Sequence, residues 1–134
     1  MKHILVGFDG STNARRALEE ALEIARADTR ITVVAAAQAP APPGETLPAG
    51  AEGVEERQRE LEDAKRQLAE LGVQAEVVAV SGAPADVLVE EAERRGADLI
   101  VVGRRGLTGA ERMVMGSVSS KVARLARCSV LIAR

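Results

Sequence analysis

Apolar positions along this chain follow two alternating patterns. Five short runs of apolar, mostly β-branched residues have the character of strands buried on both faces, and they lie at 4–6, 31–34, 77–80, 99–102 and 130–132. Between them, apolar residues recur with the spacing of an amphipathic helix, at 14–25, 54–71, 87–92 and 118–125. This alternation predicts an α/β fold: a single-domain, doubly wound, five-stranded parallel sheet with right-handed crossovers and helices on both faces.

Glycine and proline mark the ends of these segments. Gly72 and Gly96 follow helical stretches, where a left-handed cap favours glycine, and Pro84 suits the first turn of the third helix. Residues 39–53 contain four of the five prolines and show neither the helical nor the strand periodicity of apolar residues. We expect a mobile loop at 39–53, which is either a lid over a site or a tolerated surface insertion.

Size and composition narrow the class of protein. The 134 residues suffice for one core, so one domain is expected over 1–134. The formal charge of -2, without long blocks of one sign, argues against nucleic-acid and membrane partners. The single cysteine, Cys128, cannot form an internal disulfide, the N-terminus lacks a signal-peptide pattern, and no apolar run approaches the roughly 20 residues that span a bilayer. We therefore expect a cytoplasmic protein.

Two loops that follow strands carry the candidate chemistry. In an open parallel sheet, ligands bind beyond the carboxyl ends of the strands, where the strand order reverses. Residues 7–12 follow the first strand, and residues 103–109 follow the fourth and lead to a helix starting near Ser117. Glycines in the second loop permit close backbone approach, and a helix N-terminus attracts anions, so phosphate is the natural ligand. The alternative is that Ser117 only caps a helix and the glycines only turn the chain.

The complete spacing of the second loop is more specific. Gly103, which directly follows the apolar strand ending in Val102, is followed after two residues by Gly106 and after nine more by Gly116 and Ser117. With this motif the chain resembles the universal stress protein family, and the likeness covers essentially all 134 residues. Other matching segments are 4–11, 82–84, 97–103 and 128–132. In that family this glycine spacing accompanies ATP binding.

The resemblance implies a fold, a site and an assembly. It implies the strand order 3-2-1-4-5, an Asp9 that contacts ribose, and backbone near Gly7, Ala36 and Val102 that lines adenine. Ribose and phosphates would be surrounded by Gly103, Gly106, Gly116, Ser117, Val118 and Ser119. ATP would bind with Mg held through its phosphates and with no protein metal ligand. A homodimer would form through Val130, Leu131 and Ile132 of the last strand, and the role would be in stress response and signalling.

Two positions depart from the family pattern. Phe8, the only aromatic residue, is bulkier than expected beside Asp9, and we expect its ring to point into the core. Ser129 stands where many members have proline. Without other aromatic residues, the chain cannot build the walls of a flavin site or a platform for stacking single-stranded nucleic acid.

Several polar residues remain to be placed. His3 lies at the start of the first strand, away from the predicted crevice, and we expect it on the surface. Cys128 is expected to be a buried structural thiol, and Lys121 to face solvent. Arginines beside glycine turns are more often solvated than bound to a ligand, but three of them could donate to phosphates, with Arg105 favoured: Arg104, Arg105 and Arg112.

Hydrolysis of a bound nucleotide is not expected to be efficient. A phosphoanhydride bond is hydrolysed by a positioned water, and the only acidic residue in 103–119 is Glu111, while Asp9 is assigned to ribose. We expect at most a slow ATPase. A phosphoacceptor receiver domain is disfavoured because the third strand leads into 81–84 without a carboxylate, and a Walker-type hydrolase lacks its Gly-Lys-Ser/Thr. The alternative is a non-enzymatic partner-binding module that uses AMP or cyclic AMP.

Overall fold

The computed structural model of the chain describes residues 2–9, 11–37, 59, 61–66, 68–70, 72, 75–104 and 117–134. The predicted loop at 39–53, together with Gly106, Gly116, Arg105, Glu111 and Arg112, lies outside these residues.

Strands and helices alternate as the apolar pattern predicts. In chain order they are β1 (His3–Gly7), α1 (Thr12–Ile24), β2 (Arg30–Ala37), α2 (described at 59, 61–66 and 68–70), β3 (Ala75–Ser81), α3 (Pro84–Arg95), β4 (Leu99–Gly103), α4 (Ser117–Leu125) and β5 (Ser129–Ala133).

All five strands form one parallel sheet in the order β3-β2-β1-β4-β5, which confirms the predicted topology. Strand β1 lies at the centre, where Val6 is in register with Val33 of β2 and with Val101 of β4. The connection after β1 leads to β2 on one side of it, whereas the connection after β4 leads to β5 on the opposite side. The strand order therefore reverses between these two strands, and their carboxyl ends form a shared edge.

Each face of the sheet is covered by a pair of helices. Alternate residues of a strand point to opposite faces: Ile4 and Val6 pack with α1 and α2, whereas Leu5 packs with α3 and α4. Phe8 is 7% exposed and belongs to the core beneath α1 and α2, so the prediction that its ring points inward is confirmed. Because both faces of the inner strands β1 and β4 are buried, these strands are apolar almost throughout.

The helix ends follow the local signals. Ser11 caps α1, and its Oγ accepts a hydrogen bond from the amide of Ala14 at 3.1 Å. Helix α3 begins at Pro84 and ends at Gly96, whose φ of 69° is left-handed. Gly72 also has a positive φ, 74°. The predicted roles of Pro84 and Gly96 are confirmed.

Polar side chains close the amino end of the sheet. His3 is 5% exposed, so its predicted surface position is wrong: it is buried in the sheet beside β2, and a hydrogen bond of 2.7 Å joins its Nε2 to Oγ1 of Thr32. The carboxylate of Asp98 accepts the amides of Lys2 and His3 at 2.8 and 2.9 Å. These amides hold the pKa of Asp98 below its ordinary value.

A charged cluster completes this end on the α3 side. Glu91 is buried, which by itself would raise its pKa, but hydrogen bonds from Arg95 and Arg94 outweigh burial and leave that pKa lowered. Arg95 also reaches Glu76 of β3 at 2.7 Å. The charge of Glu91 is therefore compensated by two guanidinium groups, and α3 is tied to the edge strand.

Candidate functional site

The turn after β1 is held by hydrogen bonds from side chains to the backbone. Oδ1 of Asp9 accepts the amide of Ser11 at 2.9 Å, and Ser11 in turn caps α1. The amide of Phe8 donates to the carbonyl of Val34 at 2.9 Å, which continues the ladder one residue past β1. Ser11, and not Asp9, therefore caps α1, and the carboxylate of Asp9 lies at the carboxyl edge of the sheet.

The space beside Gly7 is filled by helix α3. A Cβ at this position would lie 2.8 Å from Cδ1 of Leu88 and 3.2 Å from Cγ1 of Val102. Val102 is itself buried in the α3 and α4 core, so its side chain is not open to the edge. A glycine at position 7 lets α3 approach the end of β1.

The end of β4 is approached even more closely, by the first turn of α1. A Cβ on Gly103 would lie 2.5 Å from the backbone carbonyl oxygen of Asn13, a distance that Cβ atoms essentially never show. The next residue continues the pairing with β5, because the amide of Arg104 donates to the carbonyl of Ala133 at 2.8 Å. Gly103 is therefore required by packing, independently of any ligand.

Helix α4 is attached to the same point through Ser119. This side chain is 2% exposed, and its Oγ donates to the carbonyl of Arg104 at 3.0 Å. Ser117 is exposed and Val118 is half-buried in the first turn of the helix. The N-terminus of α4, with its free main-chain amides, thus lies at the carboxyl edge of the sheet. The helix dipole favours anions at this end of the helix.

The structure brings most of the described candidates to one edge. Gly7, Asp9 and Gly103 lie at the adjacent ends of β1 and β4, and α4 is joined to that edge through Ser119. Ala36 lies on β2 two residues beyond Val34, which is in register with Gly7. Gly106 and Gly116 are outside the described residues, so their placement stays a prediction.

The whole of the chain, residues 1–134, matches the model of the universal stress protein family. The chain belongs to this family.

Two relatives show how far the similarity extends. A universal stress protein of Methanocaldococcus jannaschii, MJ0531, is 36% identical over 142 aligned positions, which cover 99% of this chain and 82% of the relative. The Bacillus subtilis universal stress protein YxiE is 50% identical over 74 residues, and that alignment covers 55% of this chain and only half of the relative.

A solved structure has the same fold. A crystal structure described as a universal stress protein in complex with cAMP is 32% identical and superposes with a TM-score of 0.76, covering 99% of this chain and 97% of that one. The fold of this universal stress protein is therefore that of its family.

An ion pair that the residue spacing did not suggest joins two helices of this universal stress protein. Nζ of Lys121, on α4, lies 3.2 Å from Oδ1 of Asp86 in the first turn of α3, and both side chains are about half exposed. The prediction that Lys121 faces solvent holds only in part. The pairing depends on how α3 and α4 pack, which no short-range pattern in the sequence encodes.

Other candidate chemistry in this universal stress protein is limited. Across the described residues, no three side chains among His, Cys, Asp and Glu are grouped so that they could hold a metal ion. Cys128 is half-buried, and burial raises the pKa of its thiol, which is typical of a structural cysteine. In the same part of the chain, no helix combines the length and the apolar character needed to cross a bilayer.

A cleft of about 980 Å³ lies at the opposite end of the sheet, between α1 and α2. Its walls carry basic residues such as Arg26 and Lys65 and acidic residues such as Asp28 and Glu76. Charges of both signs on an open surface do not define a site for an anion. The carboxyl edge, where Asp9, Gly103 and α4 come together, is the candidate site.

Proposed function

We propose that this universal stress protein binds an adenine nucleotide at the carboxyl edge between β1 and β4, with ATP as its main ligand, and acts in cytoplasmic stress signalling with little or no hydrolysis. The observation that carries the proposal is that the turn at Asp9, the glycine end of β4 and the first turn of α4 share one edge of the sheet. The chain's membership of the family supports it.

The residues at this edge suit the parts of a nucleotide. A carboxylate has acceptor capacity for several hydrogen bonds, so Asp9 can accept ribose hydroxyls in addition to the amide of Ser11. Main-chain groups of Gly7, Ala36 and Val102 would face the adenine. The phosphates would bind near the start of α4, among the following residues: Gly103, Gly106, Gly116, Ser117, Val118 and Ser119.

The proposal also covers the Mg ion and the slow hydrolysis of the bound nucleotide. Mg would be held by the phosphate oxygens, whose charge it would neutralise. Backbone amides that hold the ground-state phosphates as firmly as the transition state stabilise the complex without accelerating hydrolysis. The protein would therefore report the nucleotide rather than consume it.

Cyclic AMP is the second candidate ligand, because the 32% identical protein of known structure was crystallised in complex with cAMP. Cyclic AMP carries a single phosphate and no free 3′-hydroxyl. If it is the ligand, Asp9→Asn should weaken binding less than it would for ATP, because only one ribose hydroxyl remains for the carboxylate. AMP is the third nucleotide to compare.

Calorimetric titration of the purified protein with ATP, AMP and cyclic AMP tests the proposal, and mass spectrometry of released ligand identifies what the cell supplies. Gly106→Val should abolish binding of ATP, and Ser117→Ala should weaken it about ten- to hundredfold, as expected for a donor to a charged phosphate. Gly72→Ala is the control at the opposite end of the sheet: its φ of 74° should make the substitution lower stability, whereas ATP affinity should not change. Absence of binding for all three nucleotides would refute the proposal.

Turnover is tested by steady-state phosphate release. We expect a rate well below about 1 s⁻¹, the lower part of the ordinary enzyme range. A faster rate that disappears in Glu111→Gln would make the protein an ATPase and overturn this part of the proposal.

We also propose a homodimer through β5. In the described part of the sheet, β5 pairs with β4 on one side only, and Val130, Leu131 and Ile132 are half-buried in the isolated chain. An open apolar edge of this kind favours pairing with a second copy. Sedimentation should give a dimer, and Leu131→Pro should give monomers or insoluble protein; a wild-type monomer at high concentration would contradict the dimer.

A further inference from the structure

The buried side chain of Ser119 has one hydroxyl proton, which it donates to a main-chain carbonyl. A serine hydroxyl can donate a single hydrogen bond, and a carbonyl oxygen can only accept. Because Oγ of Ser119 lies 3.0 Å from the carbonyl oxygen of Arg104, the serine is the donor in this pair. The side chain is 2% exposed, so water cannot readily replace the partner.

This contact competes with a role as a phosphate ligand. The oxygens of an ionised phosphate are hydrogen-bond acceptors, so a hydroxyl that binds one must donate its proton to it. The same proton cannot fully serve both a phosphate and the carbonyl of Arg104. Moving it to a phosphate would break the hydrogen bond that joins α4 to the part-buried carbonyl at the end of β4, which costs free energy.

The carbonyl of Arg104 belongs to a junction of several elements. Gly103 lies against the backbone of Asn13 in α1, and the amide of Arg104 pairs with Ala133 of β5. Ser119 adds the connection to α4. A shift of α4 relative to β4 would change the distance between the helix N-terminus and the glycine end of the strand.

We propose that Ser119 is a positioning residue, whose hydroxyl holds the first turn of α4 against the end of β4 and leaves phosphate binding to main-chain amides and to Ser117. The inference rests on the proposed nucleotide site. Ser117 is the matched comparison, because it lies in the same helical turn but is exposed.

Three variants test the proposal: Ser119→Ala, Ser119→Thr and Ser117→Ala. Each is assayed for urea unfolding without nucleotide, and for calorimetric affinity for ATP and for adenosine. Ser119→Ala should lower the unfolding midpoint of the nucleotide-free protein and weaken ATP binding about tenfold, with adenosine affinity unchanged. Ser119→Thr, which keeps the hydroxyl, should restore both. Ser117→Ala should weaken ATP binding and leave the unfolding midpoint unchanged.

The carbonyl carbon resonance of Arg104 reports the hydrogen bond directly. It should differ between the wild type and Ser119→Ala, and adding ATP to the wild type should not move it toward the value of the alanine variant. Movement to that value would show that the hydroxyl donates to a phosphate when ATP is bound, and would overturn the positioning role. A destabilised Ser119→Ala with unchanged ATP affinity would overturn it too, because the contact would then serve packing alone.

Failure of the proposed function has a different signature. Wild-type protein that binds neither ATP nor adenosine contradicts the nucleotide site and this inference with it. Wild-type protein that binds ATP, beside a Ser119→Ala variant that is indistinguishable from it, contradicts this inference alone.

Discussion

The two ends of the sheet are built in different ways. At the amino end, polar side chains close the structure: Asp98 accepts the amides of Lys2 and His3, and His3 is hydrogen bonded to Thr32. At the carboxyl end, glycines allow main chain to approach main chain, as at Gly103 beside the carbonyl of Asn13.

Because the two ends are built differently, substitutions at each end should affect stability and ligand binding differently. Side chains at the amino end satisfy buried or half-buried groups of the protein itself, so changes there should alter stability and leave ligand binding intact. At the carboxyl end, Gly103 brings the backbone of β4 against the backbone of α1, and the proposed nucleotide would bind at the same edge. Changes there should alter both properties.

The largest effect is expected from Gly103→Ala. The added Cβ would lie 2.5 Å from a backbone oxygen, so β4 or α1 must move. Overpacking of this kind costs about 3 kcal/mol, and we expect weaker ATP binding as well. Gly96→Ala is the control at the amino end: its φ of 69° should cost about 1–2 kcal/mol without changing ATP affinity. Urea unfolding and calorimetry measure both; a stable, binding-competent Gly103→Ala would break the comparison.

Thr32→Val should have the next largest effect. The substitution keeps the shape of the side chain but leaves Nε2 of the buried His3 without its partner at 2.7 Å, and a buried polar group in that state costs about 1–3 kcal/mol. ATP affinity should not change. The double variant His3→Leu with Thr32→Val should recover part of the loss, because both polar groups are then removed. A Thr32→Val protein as stable as the wild type would show that the hydrogen bond contributes nothing.

Asp98→Asn should give a smaller, pH-dependent effect. The folded state lowers the pKa of Asp98, so its carboxylate stabilises the fold above the ordinary aspartate value of about 3.9, and this contribution is lost as the pH falls through the lowered pKa. Unfolding midpoints should therefore differ between wild type and variant at pH 7 and converge in acid. A difference that persists or grows as the carboxylate is protonated would contradict this assignment.

The smallest effect is expected from the ion pair at the carboxyl end. Lys121 and Asp86 are 41% and 47% exposed at a separation of 3.2 Å, and pairs of this kind contribute about 0.5 kcal/mol or less once screened by solvent. A double-mutant cycle with Lys121→Met and Asp86→Asn should give a coupling of this size that fades at high salt. A coupling above about 1 kcal/mol would mean that side chains, and not only close backbone approach, hold the carboxyl end together.

Most of the fold could be predicted from the sequence. Apolar runs buried on both faces, Pro84 at a helix start and Gly96 at a helix end are local signals, and the structure confirms the elements and the order β3-β2-β1-β4-β5. The burial of His3 was not predicted, because a histidine at the end of a strand is expected to be exposed unless a buried hydrogen-bond partner is known. Thr32 becomes its partner only through the register of β1 and β2.

The location of the candidate site in the fold could be predicted from the sequence, whereas most of the contacts around it could not. The glycine spacing indicated the loop after β4, and Asp9 lies at the neighbouring strand end as expected. The bond from Ser119 to Arg104, and the packing of Asn13 on Gly103, depend on how α1 and α4 approach β4. Such contacts between distant segments follow from the packed structure, not from local residue patterns.

The burial of Phe8 has an optical consequence. It is the only aromatic side chain in a chain without Trp or Tyr, so the protein has almost no near-ultraviolet absorption or fluorescence of its own. The absorption band of a bound adenine would therefore appear against a nearly dark background in the spectrum of the purified protein. Because the ring lies in the core while its neighbours Gly7 and Asp9 reach the carboxyl edge, Phe8→Trp would place a fluorophore in the core, next in sequence to residues of the proposed nucleotide site.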